Sequence, residues 1–287
     1  SPDGTRVALD IRDQENDIWV LDLARGTLTR LTDSPAIDQY PVWTPDGPRL
    51  IFGSGRASAG NLFWQPADKT GSVEQLTTSS NNQAPQSISP DGTRLVFREL
   101  APGRGGDLRV ARMDGAAQPP GSAPSTASGQ RPTEPLVQTV AVEQNGEISP
   151  DGHWLAYQSN ESGQYQIYVR PFPNVDDGHW TISTAGGTRP LWAGNGKELF
   201  YLDGTTAMTT VPVQTTPTFA PGTPTKLFAG RYLISAAGRT FDVSLDGQKF
   251  LMIKESTNTT GDQTSTPANM VVVINWLEEL KAKFPAK

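Results

Sequence analysis

A four-residue motif, Ser-Pro-Asp-Gly followed by a short apolar run, recurs along the chain and constrains its fold more than any other feature. The intact and degraded copies begin at Ser1, Thr44, Ser89, Ser149, Ala193 and Ser244. Successive copies are 43, 45, 60, 44 and 51 residues apart. Repeats of about 40 to 50 residues that each hold several short strands are typical of β-propeller blades. The sequence therefore predicts an all-β, six-bladed β-propeller of four-stranded antiparallel blades, as a single domain over residues 1–287.

Each repeat contains short runs whose apolar pattern indicates strands. The Asp-Gly pair predicts a hairpin turn, because Asp hydrogen-bonds locally and Gly adopts a positive φ at little cost. The run before the turn is predicted to be the innermost strand, and the apolar run after it is predicted to be buried between blades. Mobile insertions are expected at about residues 114–133 and 256–268, and a short C-terminal helix at about 276–283. The first blade lacks an inner strand and the last blade lacks an outer strand. We therefore expect a further hairpin, upstream of Ser1 in the full-length protein, to close the ring.

Composition excludes several classes of function. The net charge of −6 and the pI near 5.0 disfavour a nucleic-acid binder, which presents a basic face. No stretch approaches the ~18 consecutive apolar residues of a membrane span, so direct membrane insertion is not expected. The absence of cysteine excludes disulfides, thiolate metal sites and cysteine nucleophiles. We expect a monomer whose partner is a protein or a peptide bound at the channel mouth.

Hydrolase machinery is not indicated. There is no Gly-X-Ser-X-Gly nucleophile elbow, and a catalytic triad would have to use His153 or His179 as its base. His153 follows a turn and His179 follows an Asp-Asp-Gly loop, and both positions favour exposed or hydrogen-bonded side chains. The aspartates of the repeated turns are interpreted as turn-forming residues and not as metal ligands.

Two carboxylates occupy equivalent positions on different inner strands. Glu147 and Asp242 both lie two residues before the first residue of their turn motif. We therefore expect them to point the same way relative to the channel axis. They could tie adjacent blades by hydrogen bonds, bind a ligand or Ca²⁺, or act as an acid/base pair about 5 to 9 Å apart. No other cofactor is expected.

Polar residues near the starts of the inner strands indicate a binding funnel, because a closed propeller brings such positions around one opening. Tyr and Arg are the residue types most suited to anchor a partner there. The predicted ligand-binding residues are Asp38, Tyr40, Gln86, Asn145, Glu147, Arg189, Arg239 and Asp242. No catalytic residue is predicted.

The blades resemble the WD40-like (PD40) propeller repeats of TolB, the periplasmic component of the Tol–Pal system. The sequence is most similar to propellers that lie carboxy-terminal to bacterial serine/threonine protein kinases. That closer similarity rests on Tyr168-Val169-Arg170-Pro171-Phe172-Pro173 and on the terminal Asn275-Trp276-Leu277-Glu278-Glu279-Leu280. Ser-Pro-Asp-Gly alone is less specific, since it also occurs in prolyl-oligopeptidase propellers.

The resemblance implies a non-catalytic sensory or protein-docking propeller in the periplasm or outside the cell. It also implies a possible place as the extracytoplasmic part of a receptor-type kinase, although this chain has neither Asp-Phe-Gly nor His-Arg-Asp and so no kinase segment. One alternative is a stand-alone hydrolase or lyase that uses the channel carboxylates and a metal. A second is the gating propeller of an S9-type peptidase.

Overall fold

A computed structural model describes residues 1–12, 15–57, 59–103, 105–114, 130–235 and 238–254, which form successive antiparallel sheets. Blade one consists of β1 (Arg6–Arg12), β2 (Asn16–Asp22) and β3 (Thr27–Arg30). Blade two consists of β4 (Asp38–Trp43), β5 (Arg49–Ala57), β6 (Ala59–Pro66) and β7 (Glu74–Gln75). Blade three consists of β8 (Asn82–Ile88), β9 (Arg94–Leu100), β10 (Gly106–Arg112) and β11 (Thr133–Val137).

The remaining sheets follow in the same order along the chain. Blade four consists of β12 (Glu143–Ile148), β13 (Trp154–Ser159), β14 (Gln166–Pro171) and β15 (Trp180–Thr181). Blade five consists of β16 (Gly187–Trp192), β17 (Glu198–Asp203), β18 (Met208–Gln214), β19 (Ala220–Pro221) and β20 (Thr225–Phe228). The last sheet is a pair, β21 (Phe241–Val243) and β22 (Phe250–Met252).

The prediction of six four-stranded blades is wrong. The described residues form five blades of three, four, four, four and five strands, and the sixth turn motif joins only the two strands β21 and β22. The reason is that a turn motif specifies one hairpin and not the two further strands that complete a blade. The C-terminal helix predicted at about 276–283 and the insertion at 256–268 lie outside the described residues, as does most of the one at 114–133. The described part of the chain contains no α-helix, only a 3-10 turn at Val175–Asp177.

The hydrophobic core lies between the blades. The first strands of successive blades contact one another, β4 with β8, β8 with β12 and β12 with β16, so they line the common axis. Behind them, apolar side chains of facing sheets pack together: Ile51 and Leu62 of blade two contact Leu95 and Phe97 of blade three, and all four are fully buried. Burial of this kind is the main favourable term in folding, and here it fixes each blade against its neighbours.

The repeated turn has one geometry, seen at Ser89. Its hydroxyl donates to Asp91 Oδ1 at 2.5 Å and accepts the backbone N–H of Arg94 at 2.9 Å. The same carboxylate accepts the N–H of Thr93 at 3.0 Å, while Gly92 closes the turn with a φ of +72°. Equivalent hydroxyl-to-carboxylate bonds are present at Ser1, Ser149 and Ser244. The motif therefore recurs because it satisfies the polar groups of a tight hairpin.

These hydrogen bonds favour ionised carboxylates. The serine hydroxyl, followed by backbone N–H donors, lowers the pKa of Asp91 and of Asp246 below the ordinary value. A carboxylate whose folded-state pKa is lowered adds stability above the ordinary Asp pKa of about 4, and that stability is lost as pH falls through the lowered value.

Among the residues just described, no helix is long and apolar enough to cross a lipid bilayer.

We predict that Ser89→Ala lowers the free energy of unfolding by about 1 kcal/mol at pH 7, since a buried hydroxyl that links two groups is lost. The difference from the natural protein should shrink below about pH 4, as the Asp91 acceptor becomes protonated. Urea denaturation over this pH range measures both effects. Ser72→Ala, at an exposed site, is the control. A difference of the same size at every pH would contradict the role of the Asp91 carboxylate.

Candidate functional site

Three inner strands carry the same distortion at the same position. The third residues of β4, β12 and β16 are Tyr40, Asn145 and Arg189, and their φ angles are 59°, 54° and 58°. The strand register shifts at each of them, so each lies in a β-bulge. The left-handed region is uncommon for residues other than glycine, and such strain of about 1 to 3 kcal/mol clusters at functional sites. We refer to Tyr40, Asn145 and Arg189 as the bulge residues.

Two of the bulges are held by a side chain of the preceding blade. Asp10 Oδ2 on blade one accepts the backbone N–H of Tyr40 at 3.2 Å. Gln158 Oε1 on blade four accepts the backbone N–H of Arg189 at 2.8 Å and also the Nδ2 of Asn145 at 2.7 Å. Asp10 and Gln158 are equivalent residues, each nine positions after the serine of its turn. The bulge geometry thus depends on contacts between blades.

Gln86 serves the third bulge in a related way. Its Oε1 accepts the backbone N–H of Gly146, which follows Asn145, at 2.6 Å. Further along the same two strands, Ser87 Oγ accepts the N–H of Ile148 at 3.1 Å. The predicted site residue Gln86 therefore binds the protein's own backbone between blades three and four.

The bulge residues of blades two and five meet the same segment. Arg189 Nε donates to the carbonyl oxygen of Gly238 at 2.9 Å, and Nη1 donates to Thr188 Oγ1 at 3.1 Å. The ring of Tyr40 also lies against Gly238, where an added Cβ would be 3.2 Å from the ring. Gly238 lies between β20 and β21, so this segment reaches across the mouth from Arg189 to Tyr40.

Glu147 and Arg239 form an ion pair inside the channel, with Arg239 Nη1 at 2.8 Å from Glu147 Oε2. Burial raises the pKa of Glu147, the charge of Arg239 lowers it in part, and the charge of Asp242 adds to the rise. Burial also works against the charge of Arg239, yet Glu147 and Asp242 together hold its pKa above the ordinary value. The two predicted carboxylates are therefore close enough to act on one guanidinium, which lies on Glu147.

Calcium at Glu147 and Asp242 stays a prediction. Calcium needs several oxygen ligands, and Arg239 already donates to one carboxylate oxygen of Glu147. Within the described ranges, no three Asp, Glu or His side chains come together as a metal-ligand group. Displacement of Arg239 would be required before these carboxylates could take up the ion.

Asp38 lies at the start of an inner strand but is fully buried, with Oδ2 at 2.7 Å from Arg56 Nη2. Burial raises the pKa of Asp38, and Arg56 offsets part of that rise. The two histidines are also peripheral to the channel mouth. His153 is exposed beside its turn, while His179 stacks on Tyr168 with ring centres 4.9 Å apart. The structure thus brings together the bulge residues, Glu147 and Arg239, while Asp38 is enclosed.

Sequence reasoning missed the polar residues that lie nine positions after the serine of three turns, near the end of the strand that follows each turn. Asp10 and Gln158 hold bulges, and Arg98 occupies the equivalent position on blade three. The available signal was a polar residue directly after an apolar run, at a fixed distance from the turn. Alignment of the repeats beyond the run itself would have identified it.

We predict that Arg239→Gln destabilises the protein by about 1 to 2 kcal/mol at pH 7, because it leaves Glu147 partly buried without its cation. Without Arg239 the pKa of Glu147 rises further, so the deficit grows as pH rises from the ordinary Glu value of about 4.3 through the raised one. Urea denaturation at pH 4 and pH 7 measures the change.

The double variant Glu147→Gln/Arg239→Gln is the matched control, since it removes both charges and should recover most of the loss at pH 7. If the double variant is as unstable as Arg239→Gln at pH 7, loss of the ion pair does not explain the deficit.

Comparison with known proteins gives a family match over part of the chain. Residues 1–133 match the TolB beta propeller domain family, PD40. A TolB homolog of Chlorobium luteolum is 28% identical over 149 residues, which cover 43% of this chain and 34% of that protein. The matches span about a third of the length of the curated relatives.

The structural comparisons extend over most of the chain. TolB from Acinetobacter baumannii superposes with a TM-score of 0.68 at 18% identity, covering 88% of this chain and 59% of that one. Oligogalacturonate lyase from Vibrio parahaemolyticus has a TM-score of 0.57 at 12% identity, with 91% and 71% covered. At such identities the structural likeness shows the fold alone. The evidence for the family is the match of residues 1–133 to the family model. The resemblance to TolB is confirmed over residues 1–133, which match the TolB beta propeller domain family, and the described part of the chain has the β-propeller fold.

Proposed function

We propose that this propeller is a non-catalytic binding module that holds a protein or peptide segment at the channel mouth. The observation that carries the proposal is the set of three bulge residues, which keep the same strained conformation on three blades. A left-handed Tyr, Asn or Arg is costly, and the bulge that accommodates it is repeated on three blades. Strain repeated at one rim is explained if it shapes the mouth for a partner, with Tyr40 half-buried there and Arg189 buried against Gly238.

The chemistry of the rim supports a polypeptide partner. Tyr and Arg are enriched among interface residues that contribute most binding energy, and Asn side chains can bond to peptide backbone. Arg189 and Tyr40 both lie against the segment at Gly238, so an extended chain entering the mouth there would pass both. Concave polar sites of this kind suit peptide tails.

The proposed location is the periplasm or the exterior of the cell, by similarity to TolB. The finer proposal is that the propeller detects a cell-envelope signal as the outer part of a receptor-type kinase. It rests on the Tyr168–Pro173 and Asn275–Leu280 similarities alone, and sequencing of the complete reading frame tests it.

A hydrolase or lyase remains the alternative, since the raised pKa of Glu147 is a property of general acids. Arg239, however, donates to the carboxylate that would carry out the chemistry. We expect no turnover of peptide or oligosaccharide substrates, with or without added Mn²⁺ or Ca²⁺. If a substrate is turned over and Glu147→Gln abolishes that turnover, the protein is an enzyme and the proposal of a non-catalytic binding module is wrong.

We predict that Tyr40→Asn weakens peptide binding by about 30-fold, the effect of removing an interface anchor worth ~2 kcal/mol. Random 12-residue peptides selected on the full chain supply the ligands, and fluorescence anisotropy gives their Kd. Asparagine tolerates the left-handed backbone, so the change removes the ring without adding strain.

Lys69→Asn is the matched control, because Lys69 also has a positive φ, 63°, and lies on blade two in an outer turn. Its Kd should equal that of the natural protein. A selection that yields no peptide sensitive to Tyr40→Asn would reject the channel mouth as the binding site.

A further inference from the structure

Arg98 is a partly buried cation near the mouth whose guanidinium is incompletely bonded. It lies two residues before the end of the second strand of blade three, and its Nη1 donates to Gln144 Oε1 on the inner strand of blade four. Its Nε is inaccessible to solvent and has no hydrogen-bond partner among the described residues. A buried donor without an acceptor is costly, and one on a charged group more so.

Arg98 also lacks a counter-charge. Burial lowers its pKa, and no carboxylate among the described residues is a cause that offsets this effect. The neighbouring Glu99 is engaged elsewhere, at 3.4 Å from Arg109 Nε. Within the described part of the chain, Arg98 has no ion pair.

Other arginines around the mouth show that the fold can supply such partners. Arg56 is 2.7 Å from Asp38, and Arg239 is 2.8 Å from Glu147. Arg98 occupies the position that is Asp10 on blade one and Gln158 on blade four, where each side chain accepts a backbone N–H of the next blade. An arginine cannot accept that bond, so the position on blade three offers a donor instead.

The space for this side chain is built into blade three. Arg98 lies over Gly106, where an added Cβ would be 2.6 Å from Arg98 Cδ and 2.7 Å from Nε. Any larger residue at 106 would displace the guanidinium.

We propose that Arg98 binds a carboxylate of the peptide held at the channel mouth. This inference rests on the proposed function and adds the chemistry of the ligand. The carboxylate is that of an acidic side chain or of a C-terminus, since either would pair with a guanidinium through two parallel hydrogen bonds. The bound peptide should therefore carry a negative group where it passes Arg98, at the junction of blades three and four.

The test uses the 12-residue peptides selected on the full chain. Each peptide is made in two forms, one with its carboxylates and one in which every carboxylate is replaced by the amide. Binding to the full chain is measured for the natural protein, Arg98→Gln and Arg112→Gln. Arg112 is exposed at the opposite end of blade three, so its variant carries the same charge change. We expect Arg98→Gln to weaken the carboxylate form by about ten- to a hundredfold and to leave the amide form unchanged.

Arg98→Lys keeps the positive charge but lacks the paired donors of a guanidinium. Its affinity for the carboxylate form should lie between those of the natural protein and Arg98→Gln. Circular dichroism and urea denaturation establish that each variant is folded. Equal losses for the carboxylate and amide forms, or equal effects of Arg98→Gln and Arg112→Gln, would overturn the proposal.

Small anions separate this inference from the proposed function. Succinate, succinamide and inorganic phosphate are titrated at matched ionic strength by calorimetry. Succinate binding that Arg98→Gln abolishes supports the carboxylate site even if no peptide binds, in which case only the proposed function fails. Phosphate binding without succinate binding overturns the carboxylate assignment. Peptide binding that depends on Tyr40 but not on Arg98 retains the proposed function and rejects the carboxylate site.

Discussion

The hydroxyl of the turn serine, present in four of the six turns, is the interaction on which the hairpins of those blades depend. It joins the Asp carboxylate at the tip of the turn to the backbone N–H that starts the second strand, so it fixes where the hairpin closes. Because a shift of one residue would turn every side chain to the opposite face of the sheet, this register also decides which residues enter the core. The fully buried Leu95 and Phe97 of blade three follow directly from it.

The channel mouth shows how the same hairpins generate a site. The strand before a turn places a bulge residue four positions ahead of the first residue of the turn motif. The strand after a turn places a polar side chain nine positions beyond that first residue. Where that side chain accepts hydrogen bonds, as in Asp10 and Gln158, it stabilises the bulge of the next blade. Where it is Arg98, the bulge is held by Gln86 instead, and the guanidinium is left for an anion.

Much of this could be predicted from the sequence. The turn motif predicts the hairpins, and the strand at Gly187–Trp192 directly precedes its turn, as expected of an inner strand. Tyr40, Asn145 and Arg189 could be grouped because they precede the turn by the same number of residues. Their left-handed backbone could not be predicted, since it depends on acceptors contributed by another blade. The blade count failed for a related reason: the turn motif reports a local hairpin, whereas a blade needs strands that pair further along the chain.

The contacts between blades have a consequence for how such a propeller can diversify. A bulge on one blade and the side chain that holds it on the preceding blade must change together, so a single blade is not an independent module. The segment that keeps each bulge together with the side chain that holds it runs from one turn through the first strand of the following blade. Recombination at the turns would exchange binding residues together with their supports, whereas exchange of whole sheets would separate Tyr40 from Asp10 and Arg189 from Gln158.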